Sequence, residues 1–127
     1  MMVYAFDNQK DLKMLEDTLR NLMGNDLQFR GFTNIGSLLS ATMTRKCDVV
    51  FTDVESNNGM MLLGTLFRLY HRISIIGVAN KENAQTFSLL NQLHACGYLI
   101  KPYDAERLAD SLRHLLYSSK TAESIIS

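Results

Sequence analysis

The sequence carries no net charge, because thirteen basic residues balance thirteen acidic ones among its 127 residues. It contains no basic run, which direct binding to nucleic-acid phosphates needs. It also lacks the long apolar run that a membrane-spanning helix requires. The first residues show no charged-then-apolar pattern of a secretory signal. We therefore expect a cytoplasmic domain that binds neither nucleic acid nor membrane directly.

Metal-binding patterns are missing as well. The two cysteines, Cys47 and Cys96, stand at no metal-ligand spacing and make no disulfide framework, which suits a reducing compartment. We predict that both are small buried hydrophobic side chains. The three histidines, His71, His94 and His114, have no partner at metal-ligand spacing, so we predict surface or helix-end positions for them.

Apolar residues make up 46% of the chain, enough for the core of one domain. From residue 118 the sequence becomes polar and small. We therefore predict one domain over residues 1–118, followed by a tail or the start of a linker over residues 119–127.

Short segments rich in β-branched and aromatic residues predict five strands. Longer segments with helical periodicity lie between them, which favours βαβ units and a parallel sheet. The second strand alternates apolar and polar residues, as an edge strand does, and right-handed crossovers favour the strand order 2-1-3-4-5. The predicted strands are Met2–Phe6, Leu27–Phe32, Asp48–Thr52, Ile73–Val78 and Tyr98–Ile100.

Apolar stripes mark the helices between the strands. The first helix is expected to end at Gly24, the third to follow Gly59, and the last to begin after Asp104, a good N-cap. The predicted stripes are Leu12, Leu15, Leu19 and Leu22; Ile35, Leu38, Leu39 and Met43; Leu62, Leu63, Leu66, Phe67 and Tyr70; Ala84, Phe87 and Leu90; and Leu108, Leu112, Leu115 and Leu116.

Polar residues follow three of the predicted strands. Asp7 and Asn8 follow strand 1, Asp53 follows strand 3 and Lys101 follows strand 5. In an open parallel sheet the carboxyl ends of the strands share one edge, where ligands bind. Carboxylates held together there favour a divalent cation such as Mg²⁺, and a lysine suits a phosphoryl oxygen. These are the parts needed to accept a phosphoryl group on an aspartate.

Four stretches, in this order along the chain, form a recognisable pattern: Val3-Tyr4-Ala5-Phe6-Asp7-Asn8, Asp48-Val49-Val50-Phe51-Thr52-Asp53-Val54-Glu55, Ile75-Ile76-Gly77-Val78-Ala79 and Gly97-Tyr98-Leu99-Ile100-Lys101-Pro102. Together they resemble the receiver domains of two-component response regulators, over roughly residues 1–118. Two further stretches, Gly31-Phe32-Thr33-Asn34 and Leu93-His94-Ala95-Cys96-Gly97-Tyr98, resemble the receivers joined to LytTR-type or bacterial-transcriptional-activation output domains. The resemblance implies a flavodoxin-like, doubly wound sheet of five parallel strands with helices on both faces.

The resemblance implies roles for the matching residues. Asp53 would accept a phosphoryl group from a sensor histidine kinase, and Lys101 would contact that group. Asp7, Asn8, Asp53 and the backbone carbonyl of Glu55 would hold Mg²⁺. The domain would be regulatory rather than an enzyme, at most catalysing slow phosphorylation and dephosphorylation of itself.

Further roles concern the switch and the partners. Pro102 would follow a cis peptide bond, Tyr98 would be the aromatic switch residue, and Ala79 stands at the switch position of strand 4. The first implied partner is an output domain that controls transcription and belongs to the same full-length protein. The second is another copy of this domain, bound through helix 4, strand 5 and helix 5.

The sequence departs from the receiver pattern at four places. Asn8 replaces the second acid of the pair, which lowers the charge available to Mg²⁺. Ala79 replaces the switch hydroxyl, so the coupling to Tyr98 loses its middle link. The loop from Ser56 to Gly59 is shorter than usual and has no proline. An alignment with Phe6 and Asp7 as the pair is the alternative; the end of the apolar run at Phe6 favours Asp7 and Asn8.

Three functions follow from these features. The first is a phosphoacceptor receiver, supported by Asp53 and Lys101. The second is a degenerate receiver that acts as a phosphorylation-independent interaction module, favoured by Asn8 and Ala79. The third is a phosphohydrolase with Asp53 as nucleophile, for which only Glu55 offers a second acid.

Overall fold

The computed structural model describes residues 1–70, 72–93, 95 and 97–113. Its strands are β1 (Met2–Phe6), β2 (Gln28–Phe32), β3 (Val49–Asp53), β4 (Ser74–Ala79) and β5 (Gly97–Ile100). Its helices are α1 (Gln9–Met23), α2 (Ile35–Thr44), α3 (Asn57–Leu69), α4 (Ala84–Gln92) and α5, described over residues 105–113.

All five strands are parallel, and their order is β2-β1-β3-β4-β5, as predicted. The order reverses beside β1, which pairs with β2 on one side and with β3 on the other. Each predicted strand agrees with the structure within one residue at both ends. β2 is an edge strand with mostly exposed residues, which confirms the inference from its alternating pattern.

Helices cover both faces of the sheet, and alternate residues of β1 point to opposite faces. Val3 and Ala5 belong to a core that includes buried leucines of α1 and α5. Tyr4 and Phe6 belong to a second core, with buried residues of α2, α3 and α4. The central strands are thus apolar on both sides, as a parallel sheet between two helical layers requires.

Four stripe residues predicted to be buried are exposed: Leu22, Met43, Ala84 and Phe87. The predicted stripe residues Leu115 and Leu116 lie outside the described residues. Met43, which is 80% exposed, lies about 140° around the helix axis from the buried Leu38, because each residue advances an α-helix by about 100°. In α4 only Leu90 is buried, so this short helix presents Phe87 to solvent. Apolar spacing alone overstated the width of the covered stripes.

Capping residues set the helix ends. Asp104 accepts a hydrogen bond from the backbone N–H of Glu106, and Gly24, with φ of 61°, ends α1, both as predicted. α3 begins at Asn57, earlier than predicted, because Ser56 accepts a hydrogen bond from the backbone N–H of Gly59. Gly59 therefore lies inside the helix rather than before it.

Several predictions fall outside the described residues: the positions of His71, His94, His114 and Cys96, and the tail over residues 119–127 with its boundary at residue 118. Cys47 is buried and free, as predicted, and burial, aided by the charge of Asp48, raises the pKa of its thiol to about 11. None of the helices in the described part of the chain has the length and apolar character that a bilayer crossing needs.

The junction of β3 and α3 is closely packed at Gly59. A Cβ atom at this position would overlap the backbone carbonyl oxygen of Asp53 and lie 2.7 Å from its carbonyl carbon. The buried hydroxyl of Thr52 lies 3.2 Å from the Asp53 carbonyl oxygen and 3.3 Å from that of Gly59, and can donate to either. The backbone at Asp53 is therefore held directly against the first turn of α3.

We expect Gly59→Ala to lower the free energy of unfolding by about 1–3 kcal/mol, because the added methyl group must displace backbone rather than a flexible side chain. Gly64→Ala is the matched control in the same helix, since its Cβ would meet no atom within 4 Å. Helix propensity should make that variant more stable by up to about 1 kcal/mol. Urea unfolding measures both; equal effects of the two substitutions would contradict the close packing at Gly59.

Candidate functional site

Three strand ends bring the predicted site residues to one edge of the sheet. Asp7 follows β1 and is held by its backbone N–H, which donates to the carbonyl of Phe32 at 3.2 Å. Asp53 is the last residue of β3. Lys101 follows β5, and its backbone N–H donates to the carbonyl of Ala79 at 2.8 Å. The convergence follows from the parallel direction of the strands.

The ammonium group of Lys101 lies between two aspartates. Its Nζ donates to Oδ2 of Asp7 at 2.8 Å and to Oδ2 of Asp11 at 2.9 Å. The three side chains are only 7%, 6% and 17% exposed, in the order Lys101, Asp7 and Asp11. The lysine was expected beside Asp53, but both of its ion pairs are with these other two carboxylates.

Asp11 is a member of the site that the sequence interpretation missed. It stands in the first turn of α1, where an acidic residue is ordinary because it complements the helix dipole. Its partner Lys101 is 90 residues away. The sequence offered one signal for Asp11: it lies one helical turn after Asp7, the acid that directly follows the first strand.

Asn8 is the N-cap of α1 and joins the two aspartates. Its Oδ1 accepts from the backbone N–H of Asp11 at 2.9 Å, and its Nδ2 donates to Oδ2 of Asp11 at 2.8 Å and to Oδ1 of Asp7 at 3.4 Å. The side-chain oxygen predicted to face a metal is thus engaged in capping. The amide also supplies a donor between two carboxylates, which an aspartate could not do.

Burial and pairing act in opposite directions on the charged groups. Burial raises the pKa of Asp7, more than the hydrogen bonds from Lys101 and Asn8 lower it, and the charge of Asp53 adds to the rise. The hydrogen bond from Lys101 lowers the pKa of Asp11. Burial alone would lower the pKa of Lys101, but its bonds to Asp11 and Asp7 outweigh that effect and raise it. The lysine therefore stays charged.

Asp53 is partly exposed, and its Oδ1 accepts from the backbone N–H of Glu55 at 2.9 Å. Among the described residues, no group donates a hydrogen bond to its Oδ2. Nearby, burial and then the charges of Asp7, Asp11 and Asp53 raise the pKa of Tyr103, so its phenol stays neutral. One oxygen of Asp53 is thus fixed while the other remains accessible for chemistry.

The predicted switch residues lie on β4 and β5. Ala79 is buried at the end of β4 and has only a methyl group there. The hydroxyl of Tyr98 donates to the carbonyl of Lys81 at 3.3 Å, and its ring centroid is 6.0 Å from that of Phe87. The peptide bond between Lys101 and Pro102 is cis.

Glu55 directs its carboxylate away from Asp53 and towards the loop after β4. Its small burial would raise the pKa of this carboxyl, but hydrogen bonds from the backbone of Asn80 and Lys81 and from the side chain of Asn80 outweigh this and lower it. The acid that a phosphohydrolase would need is therefore already bound to backbone donors.

Mg²⁺ is the metal that the donor set suits. The carboxylates of Asp7 and Asp53 and the backbone carbonyl of Glu55 are hard oxygen ligands, and Mg²⁺ commonly keeps several waters beside one or two carboxylates. The like charge of Asp53 helps to raise the pKa of Asp7, a repulsion that a cation relieves. Within the described residues, no group of three or more histidine, cysteine or acidic side chains is arranged to hold a metal ion.

Asp11→Asn removes one of the two charges around the ammonium of Lys101. We expect the free energy of unfolding at pH 7 to fall by about 1–3 kcal/mol, because a buried charged group loses a charge-assisted partner. Pairing lowers the pKa of Asp11 from its usual 3.8. The wild type is therefore more stable than the variant by the full difference at pH values above 3.8. This difference should be lost as the pH falls through the folded-state pKa.

Urea unfolding over a pH series, with a chelator present, measures this difference. Asp17→Asn is the control, since Asp17 is exposed on the same helix. Asp7 and Lys101 are present in both variants, so the difference between the two variants reports the loss of the Asp11 carboxylate. An equal loss in both variants, or a difference that persists unchanged into acid, would contradict the pairing.

Comparisons with known proteins agree with the fold described above. A family model described as response regulator receiver domain matches residues 5–113. No curated protein matches the sequence significantly. Among solved structures, NtrX from Brucella abortus matches with a TM-score of 0.84 and 20% identity over 98% of this chain, although this chain spans only 28% of the NtrX chain.

Two other matched structures are similar to this chain over nearly their whole length. The signal receiver domain of an HD domain-containing protein from Pseudomonas fluorescens Pf-5 has a TM-score of 0.81 and 19% identity, covering 94% of this chain and 97% of that one. The chemotaxis protein CheY4 of Vibrio cholerae has a TM-score of 0.78 and 18% identity, covering 90% and 97%. Such low identities show the fold alone. The family match spans most of the sequence, and this chain therefore belongs to the response regulator receiver domain family.

Proposed function

We propose that Asp53 accepts a phosphoryl group from a sensor histidine kinase, and that this controls an attached output. The observation that carries the proposal is the arrangement of Asp53 itself. One carboxylate oxygen is fixed by the backbone N–H of Glu55, and the other has no hydrogen-bond partner among the described residues. A positioned, partly exposed carboxylate at the sheet edge that also carries the charged Lys101 is suited to nucleophilic attack on phosphorus.

In the proposed reaction an oxygen of Asp53 forms a bond to phosphorus, and the bond from phosphorus to the donor histidine breaks. The histidine keeps the electron pair of that bond, and Asp53 becomes an acyl phosphate. Lys101 would neutralise a phosphoryl oxygen, for which its Nζ must turn from Asp7 or Asp11. Receiver domains generally bind Mg²⁺ at the phosphorylation site; here Asp7, Asp53 and the Glu55 carbonyl would hold it, and it would neutralise charge on the transferring group.

The chain is proposed to be the regulatory part of a longer protein. The receiver would span residues 1–118, and residues 119–127 would lead towards an output domain that controls transcription. Its match to NtrX covers 28% of that chain, as expected if a receiver is one of several domains. The free, buried Cys47 suits a cytoplasmic location. The zero net charge argues against direct nucleic-acid binding by this domain.

A homodimer through α4, β5 and α5 is part of the proposal. α4 exposes Phe87 and Leu89, which are apolar, and the ring of Tyr98 on β5 lies near Phe87. On α5, Arg113 pairs with Asp110 at 3.2 Å, so charges of both signs border this surface. An apolar patch bordered by mixed charge is suitable for a symmetric contact.

The competing function is an interaction module set by something other than phosphate. Three observations favour it: the side-chain oxygen of Asn8 caps α1, Ala79 has no hydroxyl, and Lys101 is bound by two aspartates. For phosphorylation to engage Lys101, at least one of its two ion pairs must break. The receiver function is preferred because Asp53 and Lys101 both lie at the edge where the chemistry requires them.

Incubation with Mg²⁺ and a small phosphodonor tests the proposal. We expect intact mass spectrometry to show one phosphoryl group per chain, removable by hydroxylamine, which cleaves acyl phosphates. Asp53→Asn should abolish the modification because an amide is a poor nucleophile, whereas Asp17→Asn should retain it.

The alternatives give different results in the same experiment. No modification under conditions that phosphorylate an ordinary receiver would contradict the phosphoacceptor function and favour the interaction module. Consumption of many equivalents of phosphodonor per chain, dependent on Asp53, would indicate the phosphohydrolase instead.

A further inference from the structure

The carboxylate of Glu55 joins the loop after β3 to the loop after β4. Its Oε1 accepts from the backbone N–H of Asn80 at 2.8 Å and from that of Lys81 at 3.3 Å. Its Oε2 accepts from Nδ2 of Asn80 at 2.7 Å. Three donors of the β4–α4 loop, two of them backbone groups, thus converge on one side chain of the β3–α3 loop.

Both ends of this connection reach residues that matter for signalling. At one end the backbone N–H of Glu55 donates to Oδ1 of Asp53 at 2.9 Å. At the other end the carbonyl of Lys81, one of the bonded loop residues, accepts from the hydroxyl of Tyr98 at 3.3 Å. A continuous series of hydrogen bonds therefore runs from Asp53 through Glu55 and the β4–α4 loop to Tyr98.

This series passes Ala79, the residue immediately before Asn80. A hydroxyl at position 79 could have reported directly on a phosphoryl group, but the methyl group of Ala79 can make no hydrogen bond. We propose that the Glu55 carboxylate, rather than a side chain at position 79, couples the state of Asp53 to the loop that holds Tyr98. This inference rests on the proposed phosphorylation of Asp53 and names the residue that transmits it.

Charge gives the coupling its direction. A phosphoryl group adds negative charge to Asp53, two residues from an ionised carboxylate whose own backbone N–H is bonded to Asp53. The like charges repel, so phosphorylation displaces the Glu55 carboxylate, and the loop residues bonded to it, Asn80 and Lys81, shift with it. The carboxylate thus has different surroundings in the two states, which a switch requires. Glu55 is a positioning residue: its carboxylate holds the loop and moves it on phosphorylation.

The first experiment measures amide hydrogen exchange of Asn80 and Lys81 by NMR in the unphosphorylated domain. We expect Glu55→Ala to accelerate exchange at Asn80 by about tenfold, because the amide loses its acceptor. Glu82→Ala is the control, since Glu82 is an exposed acid in the same loop. Unchanged protection in Glu55→Ala would overturn the proposal.

A second variant separates a specific bond from a general loss of structure. In Glu55→Gln the amide keeps one acceptor for the backbone of Asn80 but sets a donor against the Asn80 side chain. Adding Asn80→Asp supplies an acceptor for that donor. Exchange at position 80 should be faster in Glu55→Gln than in the wild type and slower again in the double variant. A double variant that exchanges at least as fast as Glu55→Gln alone would contradict the assigned bonds.

The second experiment adds beryllofluoride and Mg²⁺, a mimic of the phosphoryl group, and follows the amide of residue 55 and the ring of Tyr98. In the wild type we expect both signals to shift. In Glu55→Ala the amide of residue 55 should still shift while Tyr98 should not. A full Tyr98 response in this variant would overturn the coupling.

The two signals separate the two hypotheses. A wild-type domain in which the amide of residue 55 does not respond contradicts the proposed function, and the coupling with it. A response at residue 55 without one at Tyr98 in the wild type leaves the phosphoacceptor function standing and overturns the coupling alone.

Discussion

The buried ammonium of Lys101, shared by Asp7 and Asp11, is the interaction on which the site depends. It ties the end of β5 to the end of β1 and to the first turn of α1. A buried charge is costly unless it is paired, and here each carboxylate offsets part of the cost of burying the lysine. Asn8 completes the arrangement by donating to both carboxylates. These four side chains therefore pair with one another through hydrogen bonds.

These hydrogen bonds give Asn8 a structural role that the receiver pattern alone does not predict. As a departure from the receiver pattern it lowers the charge available to a metal. In the structure it is a donor between two acids, and Asp11 places a second carboxylate one helical turn further along the chain. That second carboxylate is paired with the lysine. A phosphoryl group on Asp53 would have to compete with Asp11 for that lysine.

The acceptor side is rigid for a different reason. Gly59 brings the first turn of α3 against the carbonyl of Asp53, with no room for a side chain, and Ser56 caps that turn. The first turn of α3 thus holds the backbone of Asp53 in place, while its side chain remains partly exposed. The β4–α4 loop, by contrast, is exposed, and hydrogen bonds to the side chains of Glu55 and Tyr98 hold it instead of core packing.

The fold and the edge at which the site lies were predictable from the amino-acid sequence. Strand positions, the exposed edge β2 and the strand order followed from apolar patterning, because a parallel sheet covered on both faces accepts few arrangements. The pairing of charges within the site was not predictable in this way. Lys101 bonds to Asp11 across 90 residues, and Glu55 bonds to Asn80 across 25. Such contacts depend on ångström-scale distances between separate elements, whereas periodicity specifies only which face of an element is covered.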